Sequence, residues 1–278
     1  SALCDFFGAP AALLTSTGYT ANQVVAQGLA GAFTHAFIDA QAHPSLQDAA
    51  VFLGIPVRTF RHRDAQHLRT LERRLPAGAR AIVLTDGLFA RDGSVPPLSE
   101  YRSQLRPATW LWIDDCHAAG ILGPHGRGSL EQCGIGRRRC IQTLTLSKAF
   151  GSHGGAILCD AATRRSLIEH SRCHAGSTPP LLPAAAAAIR SLDICRREPG
   201  RRQRLLDRSA AVKKALLKAG LPVEETPGPI LSLVVDQGLH RDGHSEPADA
   251  QQFDQFVKGR LQVGRRHAVD LAEDMKRV

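Results

Sequence analysis

Between Phe37 and Leu158, six short apolar runs alternate with segments of helical period, and this alternation most narrowly limits the fold. The runs are Phe37-Ile38, Pro56–Thr59, Ala81–Thr85, Trp110–Asp114, Ile141–Thr145 and Gly155–Leu158. Each is short and apolar, as a buried strand is. Ser45–Phe52, Ala65–Leu75 and Leu98–Leu105 lie between them with helical spacing, and Ala21–Leu29 precedes them as an apolar helix candidate. Strand followed by helix, repeated, predicts an α/β domain: a mostly parallel sheet with helices on both faces.

The texture changes after Thr178. Pro179-Pro180 and Pro183 open an alanine-rich helix over Ala184–Arg197, which Pro199-Gly200 is expected to stop. A second helix over Arg201–Ala219 ends at Gly220 and Pro222. Ile230–Val235 reads as one strand, Asp236–Pro247 as a Gly/His/Asp-rich loop, and Ala248–Val278 as weakly amphipathic. The expected division is a large domain over 1–178 and a partial α+β domain over 179–278.

Composition excludes several classes. With 43% hydrophobic and 22% charged residues, 278 residues can bury a real core, which leaves out disorder and coiled coil. No apolar run approaches the ~18 residues of a membrane span. The start, Ser1-Ala2-Leu3-Cys4-Asp5, shows no signal-peptide pattern. Seven scattered cysteines without a C-x-x-C pair favour reduced thiols in the cytoplasm over a zinc site or a thioredoxin-type motif. Lys+Arg 35 against Asp+Glu 26 gives a net charge of +9. The arginines sit in dispersed clusters with few aromatics between them, so the charge reads as a solvated face or an anionic-ligand site rather than nucleic-acid binding.

Three stretches can carry chemistry. Thr145-Leu146-Ser147-Lys148-Ala149-Phe150-Gly151-Ser152-His153-Gly154-Gly155 places a lysine directly after an apolar strand and among small residues. Most loop lysines are solvated surface groups. One hemmed in at a strand end suits a Schiff base with pyridoxal 5'-phosphate, because desolvation favours its neutral, nucleophilic form. Trp110-Leu111-Trp112-Ile113-Asp114-Asp115-Cys116-His117 delivers two carboxylates and a histidine to a strand's C-terminal end, where open α/β sheets bind ligands. A buried aspartate there would keep a pyridine nitrogen protonated. Adjacent strand residues point to opposite faces, so Asp114 and Asp115 cannot share that role. Thr15-Ser16-Thr17-Gly18-Tyr19-Thr20-Ala21-Asn22 is a polar turn opening a helix, able to hold a phosphate but similar to any helix cap. His43, in Ala42-His43-Pro44, decides nothing alone.

In this order along the chain the stretches resemble the α-oxoamine synthase family of fold-type-I pyridoxal-phosphate enzymes. The resemblance runs from about Phe6 to Val235 and includes Thr85-Asp86-Gly87-Leu88-Phe89 and Ile121-Leu122-Gly123-Pro124-His125-Gly126. It implies that Lys148 carries the cofactor and moves the substrate Cα proton, that Asp114 pairs with the ring nitrogen, that His117 bonds the phenolic oxygen and that His43 stacks on the ring. Gly18 and Tyr19 backbone N–H groups and the Thr145 hydroxyl would take the phosphate. The implied activity condenses an amino acid with an acyl-CoA, with loss of carbon dioxide, in a homodimer with no metal. An aminotransferase, or a non-catalytic subunit on the same scaffold, is the alternative.

The sequence departs from the family at Ala90, where a serine is usual, and at Ala175-Gly176-Ser177-Thr178-Pro179-Pro180. No Arg-x-Arg segment to grip a substrate carboxylate follows Val235; Arg265-Arg266-His267 is the tail cluster that could stand in. The chain as given is therefore expected to hold cofactor but turn over poorly.

Overall fold

The computed structural model describes residues 1–233. Its elements are α1 (Ala2–Phe7), β1 (Ala11–Thr15), α2 (Gly18–Gly28), β2 (His35–Asp39), α3 (Pro44–Phe52), β3 (Val57–Phe60), α4 (Ala65–Arg73), β4 (Ala81–Asp86), α5 (Leu98–Gln104), β5 (Trp110–Asp114), α6 (Ser129–Gln132), β6 (Cys140–Thr145), β7 (Gly155–Cys159), α7 (Ala161–His170), α8 (Arg172–Gly176), α9 (Leu182–Arg197) and α10 (Pro199–Lys218). The strands form one sheet in the order β1-β7-β6-β5-β4-β2-β3. β3, β2, β4, β5 and β6 run parallel, and β7 is antiparallel to both its neighbours.

Alternation along the strands sorts the core into layers. Ile38, Ile82, Leu84, Trp112, Ile141 and Ile157 face one way, onto Val24 and Val25 of α2, Leu46 of α3 and Leu167 of α7. Phe37, Val83, Leu111 and Ile113 face the other way, onto Leu68 of α4 and Leu98 and Tyr101 of α5. A third cluster joins Phe6 and Phe7 of α1 to Leu144, Phe150 and Leu158, with Ala188 and Leu192 of α9. Burying each such large side chain contributes about 1.5–3 kcal/mol. Burial on both faces is why these strands read as continuous apolar runs.

Among the described residues two compact units are present: Ser1–Asp207 with Thr226–Ile230, and Arg208–Glu225 with residues 231–233. In the second unit the end of α10 closes on Gly220 at φ +76, whose N–H donates to the Leu217 carbonyl at 3.0 Å. That is the left-handed stop a glycine there predicts. Pro199-Gly200 does more than end α9: after Glu198, Pro199 is the first residue of α10, where its fixed φ and missing N–H suit a helix start.

Residues 230–233 are not in a strand, contrary to the expectation for Ile230–Val235. The rest of that run, the 236–247 loop and Arg265-Arg266-His267 lie outside the described residues. The expected boundary at Thr178 falls in the segment joining α8 and α9.

Candidate active site

The C-terminal ends of β4, β5 and β6 and the start of α2 converge on a cavity of about 200 Å³. Its lining includes Thr17, Gly18, Tyr19, His43, Ser45 and Asp86. Asp114, Cys116, His117, Thr145, Ser147 and Lys148 complete it. All seven residues singled out from the sequence are therefore brought together.

Lys148 sits in the turn between β6 and the antiparallel β7. That turn is pinned by Leu146 N–H to the Gly154 carbonyl, Ser152 N–H to the Leu146 carbonyl (both 2.9 Å) and Gly151 N–H to the Lys148 carbonyl at 3.0 Å. Gly151 and Gly154 have φ of +54 and +110, and at the latter any side chain would be strained. The Nζ of Lys148 lies 3.0 Å from Nε2 of His117. Burial, then the adjacent Lys148 charge, push the His117 imidazole down to about 4. A neutral ring can thus accept from Lys148.

Asp114 ends β5 and is 5% exposed. Its Oδ2 accepts from Asn22 Nδ2 at 2.6 Å and from Ser45 Oγ at 3.5 Å, and its Oδ1 accepts from the Cys116 N–H at 3.0 Å. Asp115 turns away into a closed pocket. It takes the Ser129 N–H at 2.9 Å, the Ser129 hydroxyl at 2.6 Å and the Gln142 amide. Burial raises Asp115 to about 6 even so. A Cβ on Gly87 or on Gly128 would overlap its carboxylate. Asp115 is thus a structural pin, and only Asp114 addresses the cavity.

The first turn of α2 forms the cavity's far wall. Thr17 caps the helix, its hydroxyl oxygen accepting from Thr20 N–H at 3.0 Å. The Gly18 and Tyr19 N–H groups belong to the first turn, which has no intrahelical acceptors, and the helix dipole favours an anion there. A Cβ at Gly18 would come within 2.8 Å of Thr145 Cβ and 3.0 Å of Cys116 Sγ, so only glycine lets α2 start this close to β6. The Tyr19 hydroxyl donates to Asp48 on α3. Thr145 Oγ1 shares a 2.8 Å hydrogen bond with Ser147 Oγ.

His43 caps α3. Its backbone N–H donates to Asp86 Oδ1 at 3.0 Å, and its Nδ1 lies 2.7 Å from Ser45 Oγ. Asp86 is a site residue that sequence reasoning quoted but did not assign. It is the cross-strand partner of Asp114, and burial, then the Asp114 charge, raise it to about 8. Asn22 and Ser45 were missed as well. They are ordinary helix residues by pattern, and their partners lie far away in sequence. By contrast, His62 and His67 lie outside this cavity: His62 Nδ1 is 2.8 Å from Asp39, and His67 Nδ1 accepts from the Arg61 N–H at 3.0 Å. Ser177, Pro179 and Pro180 line a larger, mainly apolar cleft of about 730 Å³.

A family profile described as Aminotransferase class I and II matches residues 1–254. Among curated relatives, the 8-amino-7-oxononanoate synthase of Chromohalobacter salexigens is 38% identical over 234 residues, spanning 84% of this chain and 61% of that protein. The synthase of the same name from Methylococcus capsulatus is also 38% identical, over 236 residues, 84% of this chain and 60% of that one. The chain thus spans about three-fifths of the length of these relatives. Among solved structures, a serine palmitoyltransferase from S. paucimobilis, with bound PLP and myriocin, superposes with a TM-score of 0.75 at 27% identity. That match covers 82% of this chain and 57% of the other. The serine palmitoyltransferase of Sphingomonas wittichii, at 24% identity, shares the fold with a TM-score of 0.81 over 96% of this chain and 75% of its own. The chain belongs to the aminotransferase class I and II family, within its α-oxoamine synthase branch.

Proposed function

We propose that this chain binds pyridoxal 5'-phosphate in the 200 Å³ cavity and forms the cofactor-binding part of an acyltransferase of the 8-amino-7-oxononanoate synthase type. The observation that carries the reading is one lysine, one neutral imidazole and one buried, multiply hydrogen-bonded carboxyl group facing the first turn of α2, where the Gly18 and Tyr19 N–H groups have no intrahelical acceptor. The donor set fits the cofactor. Lys148 would hold it covalently, Asp114 would pair with its ring nitrogen, and His43 would stack on its face. His117 would bond its phenolic oxygen. Gly18 and Tyr19 N–H groups, with the Thr145 hydroxyl, would take its phosphate. When bound, the cofactor supplies an electron sink for breaking a bond at an amino-acid Cα.

The chain's own groups divide the remaining work. Asp114, held by Asn22, Ser45 and the Cys116 N–H, presents its carboxyl group to the cavity. Lys148 and His117, 3.0 Å apart, can pass a proton between Nζ and Nε2, which places a base at the cavity mouth. The substrates under this reading are an amino acid and an acyl-CoA, and the assembly is a homodimer of chains whose residues 1–178 form the cofactor domain. Support for the dimer is the exposed apolar set Leu181, Leu182 and Ile189, at 70%, 85% and 57% exposure. Seven free cysteines support a cytoplasmic location. Among the described residues, no helix is long and apolar enough to cross a membrane.

The test is borohydride reduction of the chain with added pyridoxal phosphate, followed by peptide mapping. A label on Lys148 upholds the cofactor reading; a label elsewhere, or none with cofactor in excess, overturns it. Amino-acid-dependent release of CoA from an acyl-CoA then separates acyl transfer from transamination, which would yield an oxo acid instead.

A further inference from the structure

Two carboxyl groups, Asp86 and Asp114, stand side by side at the ends of β4 and β5 as cross-strand partners. Both line the same cavity, and both are nearly excluded from water, at 3% and 5% exposure. Two adjacent buried carboxyls do not both ionise readily, so the surrounding hydrogen bonds decide which one carries the charge. The bonds are unequal. Asp114 accepts from the Asn22 amide, the Cys116 N–H and the Ser45 hydroxyl. Asp86 accepts from one side-chain-directed donor, the His43 N–H. Donors stabilise the charged form of a carboxylate. The asymmetry therefore puts the negative charge on Asp114 and leaves Asp86 as the acid, in line with its raised value of about 8.

Asn22 is the hub of this arrangement. It is fully buried in the second turn of α2. Its Nδ2 reaches Asp114 Oδ2 at 2.6 Å, the shortest of the three contacts, and Ser45 Oγ at 3.0 Å. Its Oδ1 accepts from Thr143 Oγ1 at 2.7 Å, which holds the amide in place, while the carboxylate, an acceptor, selects its NH2 end. Four elements are tied at one side chain: α2, α3, β5 and β6. Such a network around a purely packing role would be hard to rationalise, because an apolar side chain fills the same space without buried polar atoms to satisfy.

We infer that Asn22 is a positioning residue which, oriented by Thr143, selects Asp114 over Asp86 as the ionised carboxylate of the site and aims it at the bound cofactor. The inference rests on the cofactor reading above. Its effect on bound cofactor is exerted wholly through Asp114.

The test is a double-mutant cycle on the intact chain, read by pyridoxal-phosphate affinity and by the absorption spectrum of the bound cofactor. Asn22→Ala is expected to weaken cofactor binding about ten- to a hundredfold, the scale of one hydrogen bond to a charged group, and to shift the absorption band. Thr143→Val, which removes the hydroxyl that holds the amide oxygen, should do the same to a smaller extent, and it serves if Asn22→Ala fails to fold. In an Asp114→Asn background, Asn22→Ala should add little to either readout, because its partner's charge is already gone. A merely structural Asn22 would give additive losses, or a lower thermal midpoint with an unchanged spectrum. Either result overturns the inference. Wild-type labelling at Lys148 keeps the two levels apart. With that label present and Asn22→Ala and Thr143→Val spectrally silent, only the inference fails; without it, both fail.

Discussion

The Nζ of Lys148 lies 3.0 Å from Nε2 of His117, at the point where the β6–β7 turn meets the loop after β5. The contact joins an ammonium to a ring held neutral, and the pairing explains why the imidazole is pushed down after burial has acted. Its state is therefore a readout of the lysine.

Lys148→Ala removes the second of the three causes that lower His117, after burial and ahead of His43. The imidazole should then titrate at a higher pH than in the unaltered chain, while staying below the ordinary histidine value because burial remains. Histidine-resolved NMR titration of the cofactor-free protein checks this. An unmoved or lowered midpoint would show that the lysine charge is not felt at the ring.

The same depression has a sign for stability. His117 binds its proton less readily folded (about 4) than unfolded (about 6.5). The stability it contributes is present above the unfolded value and is lost as the pH falls from about 6.5 toward 4. A His117→Asn variant should show a shallower loss of Tm over that window, measured by thermal unfolding at successive pH values.

Asp86 works in the opposite direction. Its carboxyl is raised to about 8, first by burial and then by Asp114, so the folded chain binds a proton that the unfolded chain has released by neutral pH. Stability from this group is full below about 4 and is lost as the pH rises through 8. Asp86→Asn keeps the shape and removes the titration. It should stabilise the cofactor-free chain at pH 8.5 by at least about 1 kcal/mol, the worth of a single pKa unit, and much less at pH 5. Urea unfolding at both pH values decides it, and an equal change at both would refute the assignment.

Asp114 and Asp115 should separate by phenotype rather than by severity. Asp114→Asn leaves the fold in place and impairs cofactor binding and its spectrum. Asp115→Asn turns an amide toward the donors on Ser129 and Gln142 in a pocket walled by Gly87 and Gly128. It should cost about 1–3 kcal/mol, the scale of an unsatisfied buried group, yet leave cofactor labelling at Lys148 intact at a permissive temperature. The alternation of strand faces predicts a mild effect of Asp115→Asn on the cofactor chemistry alone.

Gly28 tests the layer behind the site. A Cβ there would lie 2.7 Å from Leu167 Cα and from Leu167 Cδ2, where α2 crosses α7. The first of these is backbone and cannot swing aside. Gly28→Ala should destabilise by about 1–3 kcal/mol through overpacking, despite alanine's better helix propensity. A higher urea midpoint would mean that α7 yields freely.

β2, β4, β5 and β6 were legible because burial on both faces writes them as unbroken apolar runs, with bounds within a residue or two; β3, expected to be buried, is the edge strand and exposes Val57, Arg58 and Thr59. Lys148, Asp114 and His117 were legible because each follows such a run within a few positions. β1 was not read as a strand: it buries Ala11, Leu13 and Thr15 but leaves Leu14 40% exposed, too short a pattern to register. α7 was invisible for another reason. Ala161–His170 buries only Thr163 and Leu167, and its turns are otherwise polar. Asn22, Ser45 and Asp86 owe their roles to partners brought in by the sheet order, and no local spacing marks them.

The position of β7 has a consequence for how the site comes into being. Ala11 of β1 pairs with Cys159 of β7, and β7 alone joins β1 to the rest of the sheet. During synthesis β1 emerges well before β7, yet it has no strand partner until Cys159 has left the ribosome. Contacts this distant along the chain form late and slowly. Insertion of β7 between β6 and β1 therefore completes the sheet, after the strands that carry Asp114 and lead to Lys148 have paired. A ligand bound only by the finished form also holds it closed by mass action.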